Sequence, residues 1–390
     1  MKARIALFAH DLAANGVARN AIAVARGLAA AGHATDLLVA RGDGRFAAES
    51  PGAARIVPLT AREGRRAREL WSTARALRGY LSAHAPALFV SMGNHGHADA
   101  WLGSRGFRGK RAYRISNDLQ RAMPGAPLDR LGAWRRSRIA SLLARDADQL
   151  WLVSPALRAT AAFAEAARAG RVRVIPNGVD LARAAELARL DCPHPWLEGG
   201  PPVVLAIGRF HPQKNFAALL RAFALLRRTR PARLVILGDG PARERALLER
   251  RASELGVAAD VALPGIAHNP YAYLSRAAAF ALPSWWEGSS NALLEALACG
   301  TAVAASRSAG DAAHVLGDGK YGVLFDPSDD REIARALLLQ ISDAAVRAGD
   351  RARDFALRRT LERIESCVSE LIAPRQAAPA PSGADAAGVA

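Results

Sequence analysis

The chain has 390 residues, 51% of them hydrophobic and 23% charged, with a formal net charge of +17. These proportions exclude a disordered or fibrous chain, and the length exceeds the roughly 250–300 residues at which one hydrophobic core stops growing, so two domains are expected. No run approaches the roughly 18 apolar residues of a membrane-spanning helix, and three scattered cysteines, Cys192, Cys299 and Cys367, argue against a disulfide framework.

The chain opens MKARIALFAHDL, whose apolar run of residues 5–9 is shorter than a signal-peptide core of ~7–15 residues. It reads as a first strand, ARIALFA (3–9), and a cytoplasmic location is expected. ANGVARNAIAVARGLAAAGH (14–33) follows as a glycine turn and an amphipathic helix stopped at Gly32, and TDLLVA (35–40) is the next strand. This βαβ unit implies a parallel sheet with right-handed crossovers. ALFVSM (87–92), RAYRIS (111–116), QLWLVS (149–154) and VRVIP (172–176) continue it, and NGVD (177–180) is a turn. The proline-rich passage 191–202 marks a boundary. Its CPHP (192–195) lacks a second pair of metal ligands and reads as linker.

The alternation then restarts. PVVLAIG (202–208), ARLVILG (232–238), ADVALPG (259–265), AAFALPS (278–284), TAVAAS (301–306) and YGVLF (321–325) are strands, with helices at 215–228 and 242–256 among them. The expected organisation is two Rossmann-like, doubly wound α/β domains, 1–176 and 177–355, facing a central cleft. A helix (356–372) and a disordered Ala/Pro/Gly-rich tail (373–390) follow. Ligands of such sheets bind outside the carboxyl ends of the strands, so the chemistry belongs on post-strand loops lining the cleft.

Two of those loops carry it. After residues 202–208 come Arg209 and, opening the next helix, Lys214; the pair suits a diphosphate, and equally suits solvated surface charge. After residues 278–284 comes SWWEGSSNALLEALACG (284–300). Gly288 permits a tight turn, Ser289, Ser290 and Asn291 are good helix caps, and the free N–H groups of the helix start attract anions. Glu295 near that start would be stabilised by the helix dipole or would accept sugar hydroxyls. Glu287 precedes the helix. An acid beside a phosphate site belongs against a neutral sugar, which gains positive charge during glycosyl transfer.

Residues 284–306 resemble the E-x7-E signature of family 4 retaining glycosyltransferases of the GT-B fold. The pattern S-x-x-E-G-x-x-N-x-x-x-E-A-x-A-x-G is matched throughout. GRFHPQKN (208–215) resembles the same family's phosphate motif, and VIPNGVD (174–180), ILGDGPARE (236–244) and LPGIAHN (263–269) match further landmarks in order. The resemblance is close over residues 174–326 and loose before them. It implies that Arg209 and Lys214 bind the donor diphosphate and neutralise the leaving group, and that Glu295 holds the ribose. It also implies that Glu287 contacts the donor sugar, that Gly288, Ser289, Ser290, Asn291, Ala292 and Leu293 lend their loop and backbone amides, and that Ile266 lies near the base. Gly16 would approach the diphosphate from the first domain, although Asn15–Gly16 stands where the family often has two glycines.

Many family members carry a histidine near the acceptor. Here the corresponding strand ends YRISNDLQR, with Arg114, Ser116 and Asn117, and GNHGHAD offers His95 and His97 on another loop; His95, Arg114 and Asn117 are the acceptor candidates. The implied reaction moves a sugar, with retention, from a UDP- or GDP-sugar co-substrate to a glycan or lipid-linked glycan. It needs no separate cofactor and no metal, since Asp99, Asp311 and Asp318 stand isolated. A nucleotide-sugar epimerase of the same fold and a basic nucleic-acid-binding protein are the competing readings, though no helix-turn-helix, RNP or zinc pattern supports the latter.

Residues 105–145 hold eleven Lys/Arg against two Asp. In LGAWRRSRIASLLARDA (131–147), Leu131, Trp134, Ile139, Leu142 and Leu143 form a helical stripe, with Arg135, Arg136 and Arg138 off it and Arg105, Arg108, Lys110 and Arg111 nearby in sequence. This suits either a helix packed on the sheet or a peripheral contact with an anionic inner leaflet.

Overall fold

The computed structural model describes residues 2–373 apart from 14, 15, 43, 45, 47, 48, 50, 60–65 and 120–129. Asn15 and the expected disordered tail beyond residue 373 therefore lie outside the described residues.

Two sheets organise the chain, and every pairing in them is parallel. The first contains β1 (Arg4–Ala9), β2 (Ala34–Val39), β3 (Arg55–Pro58), β4 (Leu88–Ser91), β5 (Lys110–Ile115), β6 (Gln149–Leu152) and β7 (Val172–Val174), in the order β3-β2-β1-β4-β5-β6-β7. The second contains β8 (Val203–Ile207), β9 (Arg233–Leu237), β10 (Val261–Gly265), β11 (Ala279–Leu282), β12 (Ala302–Ser306) and β13 (Val323–Phe325), in the order β10-β9-β8-β11-β12-β13. Their central strands are apolar on both faces because helices cover both sides. Phe8, Phe89, Tyr113 and Leu150 face helices Arg66–His84 and Arg130–Asp146, whereas Ile5, Leu7, Leu37 and Trp151 face helix Gly16–Ala30. Strand order reverses between β1 and β4 and again between β8 and β11, which opens a crevice at each reversal.

Edge strand β3 was not expected. It is short and ends in a proline, which an edge tolerates, and Arg55 anchors it by an ion pair with Asp36 of β2 at 2.8 Å. The expected helix at 131–147 is present as Arg130–Asp146, but its apolar stripe divides. Leu143 is buried and Ile139 packs on the core, while Leu131 and Trp134 are exposed.

The last helix, Leu357–Ile372, crosses back to the first domain. Its stripe of Ile364, Cys367, Val368 and Leu371 is buried beside Ile5, Leu7 and Ile22. The two crossover segments meet side by side: Val179 N–H donates to the Phe355 carbonyl at 2.9 Å and Leu357 N–H to the Val179 carbonyl at 2.8 Å.

Candidate active site

The loops leaving β8 and β11 flank the crevice of the second sheet and are bound to each other. Gln213 accepts from the Trp285 N–H at 2.9 Å and donates through its side chain to the Trp286 carbonyl at 2.8 Å. Asn215 takes a left-handed φ of 54° and its side chain ties the loop to Pro327, so Lys214 is turned into the crevice. A side chain at Gly208 would collide with that of Lys214. Lys214 Nζ lies 2.6 Å from Glu287 Oε1, which also accepts from Ser284 Oγ at 2.7 Å. Arg209 is exposed, and no carboxylate among the described residues pairs with it. The β8 loop thus presents one free cation and one cation already held by the acid expected to meet the sugar.

Helix Asn291–Ala298 begins where expected, with Ser290 Oγ accepting from Leu293 N–H at 3.4 Å. Glu295, however, lies beyond its first turn, so the dipole account does not apply to it. Its buried carboxylate pairs instead with Arg19 of helix Gly16–Ala30 in the other domain, and Tyr271 Oη stands 3.5 Å away. Burial raises the Glu295 pKa and Arg19 opposes the rise; the Glu295 charge in turn raises that of Arg19.

The first domain meets this loop through its own post-strand residues. A Cβ on Gly16 would fall 2.9 Å from Asn291 Nδ2, so the starts of the two helices meet closely at Gly16. A Cβ on Gly288 would fall 2.0 Å from the Ser116 carbonyl. Asn94 fixes that neighbour: its Oδ1 accepts from Ser116 N–H at 2.9 Å and its Nδ2 donates to the Asn117 carbonyl at 2.7 Å.

The acceptor candidates separate. Asn117 lies against the Gly288 loop. His95 is exposed after β4, its ring edge-on to His10 at 4.2 Å, and His10 follows β1, so this pair occupies the reversal point of the first sheet. His97 is a core residue: it is fully buried, its Nδ1 is 2.7 Å from Ser91 Oγ, and burial depresses its pKa to about 3. Arg114 is also buried, and its Nη2 donates to Asn177 Oδ1 at 2.7 Å. Ile266 is exposed just beyond β10.

Sequence reasoning missed Arg19, His10 and Asn177 and set Asp311 aside. Asp311 is buried beside the Glu287–Ser290 loop, where Gly310 (φ 59°) packs on the Glu287 and Gly288 carbonyls. Burial, with the nearby Glu287 charge adding, raises its carboxyl pKa to about 7. Among the described residues no group of three or more His, Cys, Asp or Glu is placed to hold a metal.

Two family models match the chain: "Glycosyltransferase Family 4" over residues 14–183 and "Glycosyl transferases group 1" over residues 201–343. The chain belongs to glycosyltransferase family 4. One family relative, from Campylobacter jejuni, is 30% identical over 177 residues, covering 45% of this chain and 46% of that protein. It is an N-acetylgalactosamine-N,N'-diacetylbacillosaminyl-diphospho-undecaprenol 4-alpha-N-acetylgalactosaminyltransferase. Another, from Mycolicibacterium smegmatis, is a GDP-mannose-dependent alpha-(1-6)-phosphatidylinositol monomannoside mannosyltransferase, 37% identical over 229 residues (55% of this chain, 59% of that protein). The chain spans about half the length of the curated relatives it matches. Anabaena HepE, solved with UDP and glucose, superposes over 95% of this chain and all of its own, with a TM-score of 0.78 at 20% identity. The fold of this family 4 chain is GT-B, two Rossmann-like domains across a cleft.

Proposed function

We propose that this chain is a retaining glycosyltransferase that moves a sugar from a nucleotide-sugar donor to a lipid-linked glycan of the cell envelope. The observation that carries this reading is that the β8 loop, with exposed Arg209 and with Lys214 held by Glu287, lies against the loop that opens helix Asn291–Ala298, whose Asn291 meets Gly16 of the facing domain. Free helix amides and two cations form an anion site. The donor's phosphates take Lys214 from Glu287, and the released carboxylate turns to the sugar. Glu295, held by Arg19 and Tyr271, lies one helical turn away for the ribose, and Ile266 flanks the base. Gly288, Ser289, Ser290, Ala292 and Leu293 shape the loop around the sugar.

Both acids of the motif are engaged by cations, so neither is set up as a covalent nucleophile, and electrostatic stabilisation of the leaving diphosphate supplies the catalysis. The bond from the sugar carbon to the phosphate oxygen breaks as the acceptor hydroxyl bonds on the same face, and its proton passes to the departing phosphate. His95 and Asn117 stand on the acceptor side. A UDP- or GDP-sugar fits as the donor: a structural neighbour was solved with UDP and glucose, and a relative is named as GDP-mannose-dependent. The names of relatives acting on diphospho-undecaprenol and phosphatidylinositol substrates support a lipid-linked acceptor. The family models favour transfer over the epimerase and nucleic-acid readings.

Among the described residues no helix is long and apolar enough to cross a membrane. A peripheral contact at the inner membrane face has support in one layer of the first domain, where Trp71, Leu131 and Trp134 are exposed with Arg105, Arg108, Arg135 and Arg138. By contrast, Lys110 and Arg111 are paired with Asp148 and Asp146. A thermal-shift screen against UDP, GDP and ADP, followed by product analysis with the labelled sugar of the nucleotide that binds, tests the reading. Transfer to a lipid-extract acceptor supports it; release of an epimerised nucleotide sugar overturns it. Sedimentation with anionic vesicles at low salt, lost in a Trp71→Ala, Trp134→Ala variant, tests the membrane face.

A further inference from the structure

Arg114 sits at the cleft end of β5 with 1% of its surface exposed. Its guanidinium makes a single side-chain hydrogen bond, to Asn177, and its Nε and Nη1 are buried without a hydrogen-bond partner among the described residues. No carboxylate among the described residues pairs with it. Burial lowers its pKa only to about 10, so the charge persists at neutral pH. A buried charge without a counter-charge is among the costliest features a fold can hold, so its retention calls for a ligand or a structural reason.

Its one hydrogen-bond partner leads across to the second domain. Asn177, on the crossover between domains, accepts from Arg114 through Oδ1 and donates through Nδ2 to the Ser289 carbonyl at 3.0 Å and to Asn291 Oδ1 at 2.7 Å. The cation is therefore one amide away from the residues that open helix Asn291–Ala298, and it polarises that amide in the direction of the donor loop. One polar chain thus joins β5 of the first domain, the crossover and the anion-binding helix start of the second. Asn291, the far end of that chain, is also the residue that meets Gly16 of the first domain.

We propose that Arg114 is a positioning residue whose missing counter-anion is the diphosphate of the donor: the apo protein carries an uncompensated buried cation, and a nucleoside diphosphate at the helix start relieves it while Asn177 locks the donor loop to the first domain. This rests on the donor site proposed above. It reassigns Arg114 from the acceptor to the donor side, because a fully buried group held by Asn177 has no surface to offer an acceptor.

A structural arginine and a strained one respond oppositely to removal. Replacement of a strained buried charge by an apolar group of similar length leaves the apo fold as stable or more so, while the diphosphate loses a screened attraction worth about tenfold in affinity. The experiment compares wild type with Arg114→Met, Arg114→Gln and Arg114→Lys, by melting temperature without ligand and by calorimetric titration with UDP, GDP and the corresponding nucleosides. Expected are a melting temperature for Arg114→Met at or above wild type, UDP or GDP affinity about tenfold weaker in the Met and Gln variants and largely restored in Lys, and unaltered nucleoside binding. If Arg114→Met does not fold, Gln against Lys carries the comparison. Diphosphate affinity independent of charge at position 114, or an equal loss for nucleoside and diphosphate, overturns the proposal. Failure of wild type to bind any nucleoside diphosphate would instead remove the donor site itself, and this inference with it.

Discussion

Replacing Asp311 by asparagine keeps the shape of a buried side chain and removes its ability to ionise. The carboxyl sits beside the Glu287–Ser290 loop with neither oxygen hydrogen-bonded among the described residues, and burial and then the Glu287 charge raise its pKa from 3.8 to about 7. In the unfolded chain it titrates near the ordinary value. Between about pH 4 and pH 7 the folded protein therefore holds more proton than the unfolded one, and stability falls as pH rises through that window. Above pH 7 the full penalty applies, and about three pKa units correspond to as much as ~4 kcal/mol. Asp311→Asn escapes it. Urea unfolding at pH 5 and pH 8.5 is the assay. The variant's advantage should be small at pH 5 and several kcal/mol larger at pH 8.5. A stability difference that does not vary between the two pH values, or an asparagine variant less stable at pH 8.5, refutes the reasoning.

Arg19→Met strands the buried Glu295 carboxylate without its cation, a loss of about 1–3 kcal/mol because the Arg19 side chain is 40% exposed and the pair is partly screened; Arg19→Met, Glu295→Gln should recover most of it in the same denaturation experiment, and no recovery would show that the two do not act as a pair. Gly288→Ala places a methyl 2.0 Å from the Ser116 backbone. The two domains must then separate, so transfer should fall at least about tenfold with little change in nucleotide affinity; a variant with normal turnover would mean that the loops do not meet during the reaction.

Much of the fold was legible because parallel strands buried on both faces are written as short unbroken apolar runs, as in RIALFA of β1 and AFAL of β11. Strand β3 was not, since RIVP has two apolar residues and a proline, and an ion pair to Asp36 rather than burial holds it. The amphipathic stripe of the final helix announced that it packs, not that Ile364 and Val368 would close the core of the other domain. The loop after β11 was readable because its glycine, caps and acids are contiguous. Its supports were not: Arg19 lies 276 residues from Glu295 and Asn177 lies 114 from Asn291, so each looked like an ordinary polar residue until the fold joined them. Asp311 looked isolated for the same reason. Spacing also did not show that Arg114, which reads as cleft lining at a strand end, is buried with its guanidinium on Asn177 of the crossover.

The central claim is that Arg209, Lys214 and the start of helix Asn291–Ala298 hold a nucleotide's diphosphate. Its most direct measurement is calorimetric titration of UDP and GDP into the wild-type protein and into Arg209→Ala, Lys214→Ala. Saturable one-to-one binding of one nucleotide to the wild type, weakened at least a hundredfold in a double variant that remains folded at the titration temperature, is the predicted result. Binding of equal strength to both proteins would contradict it.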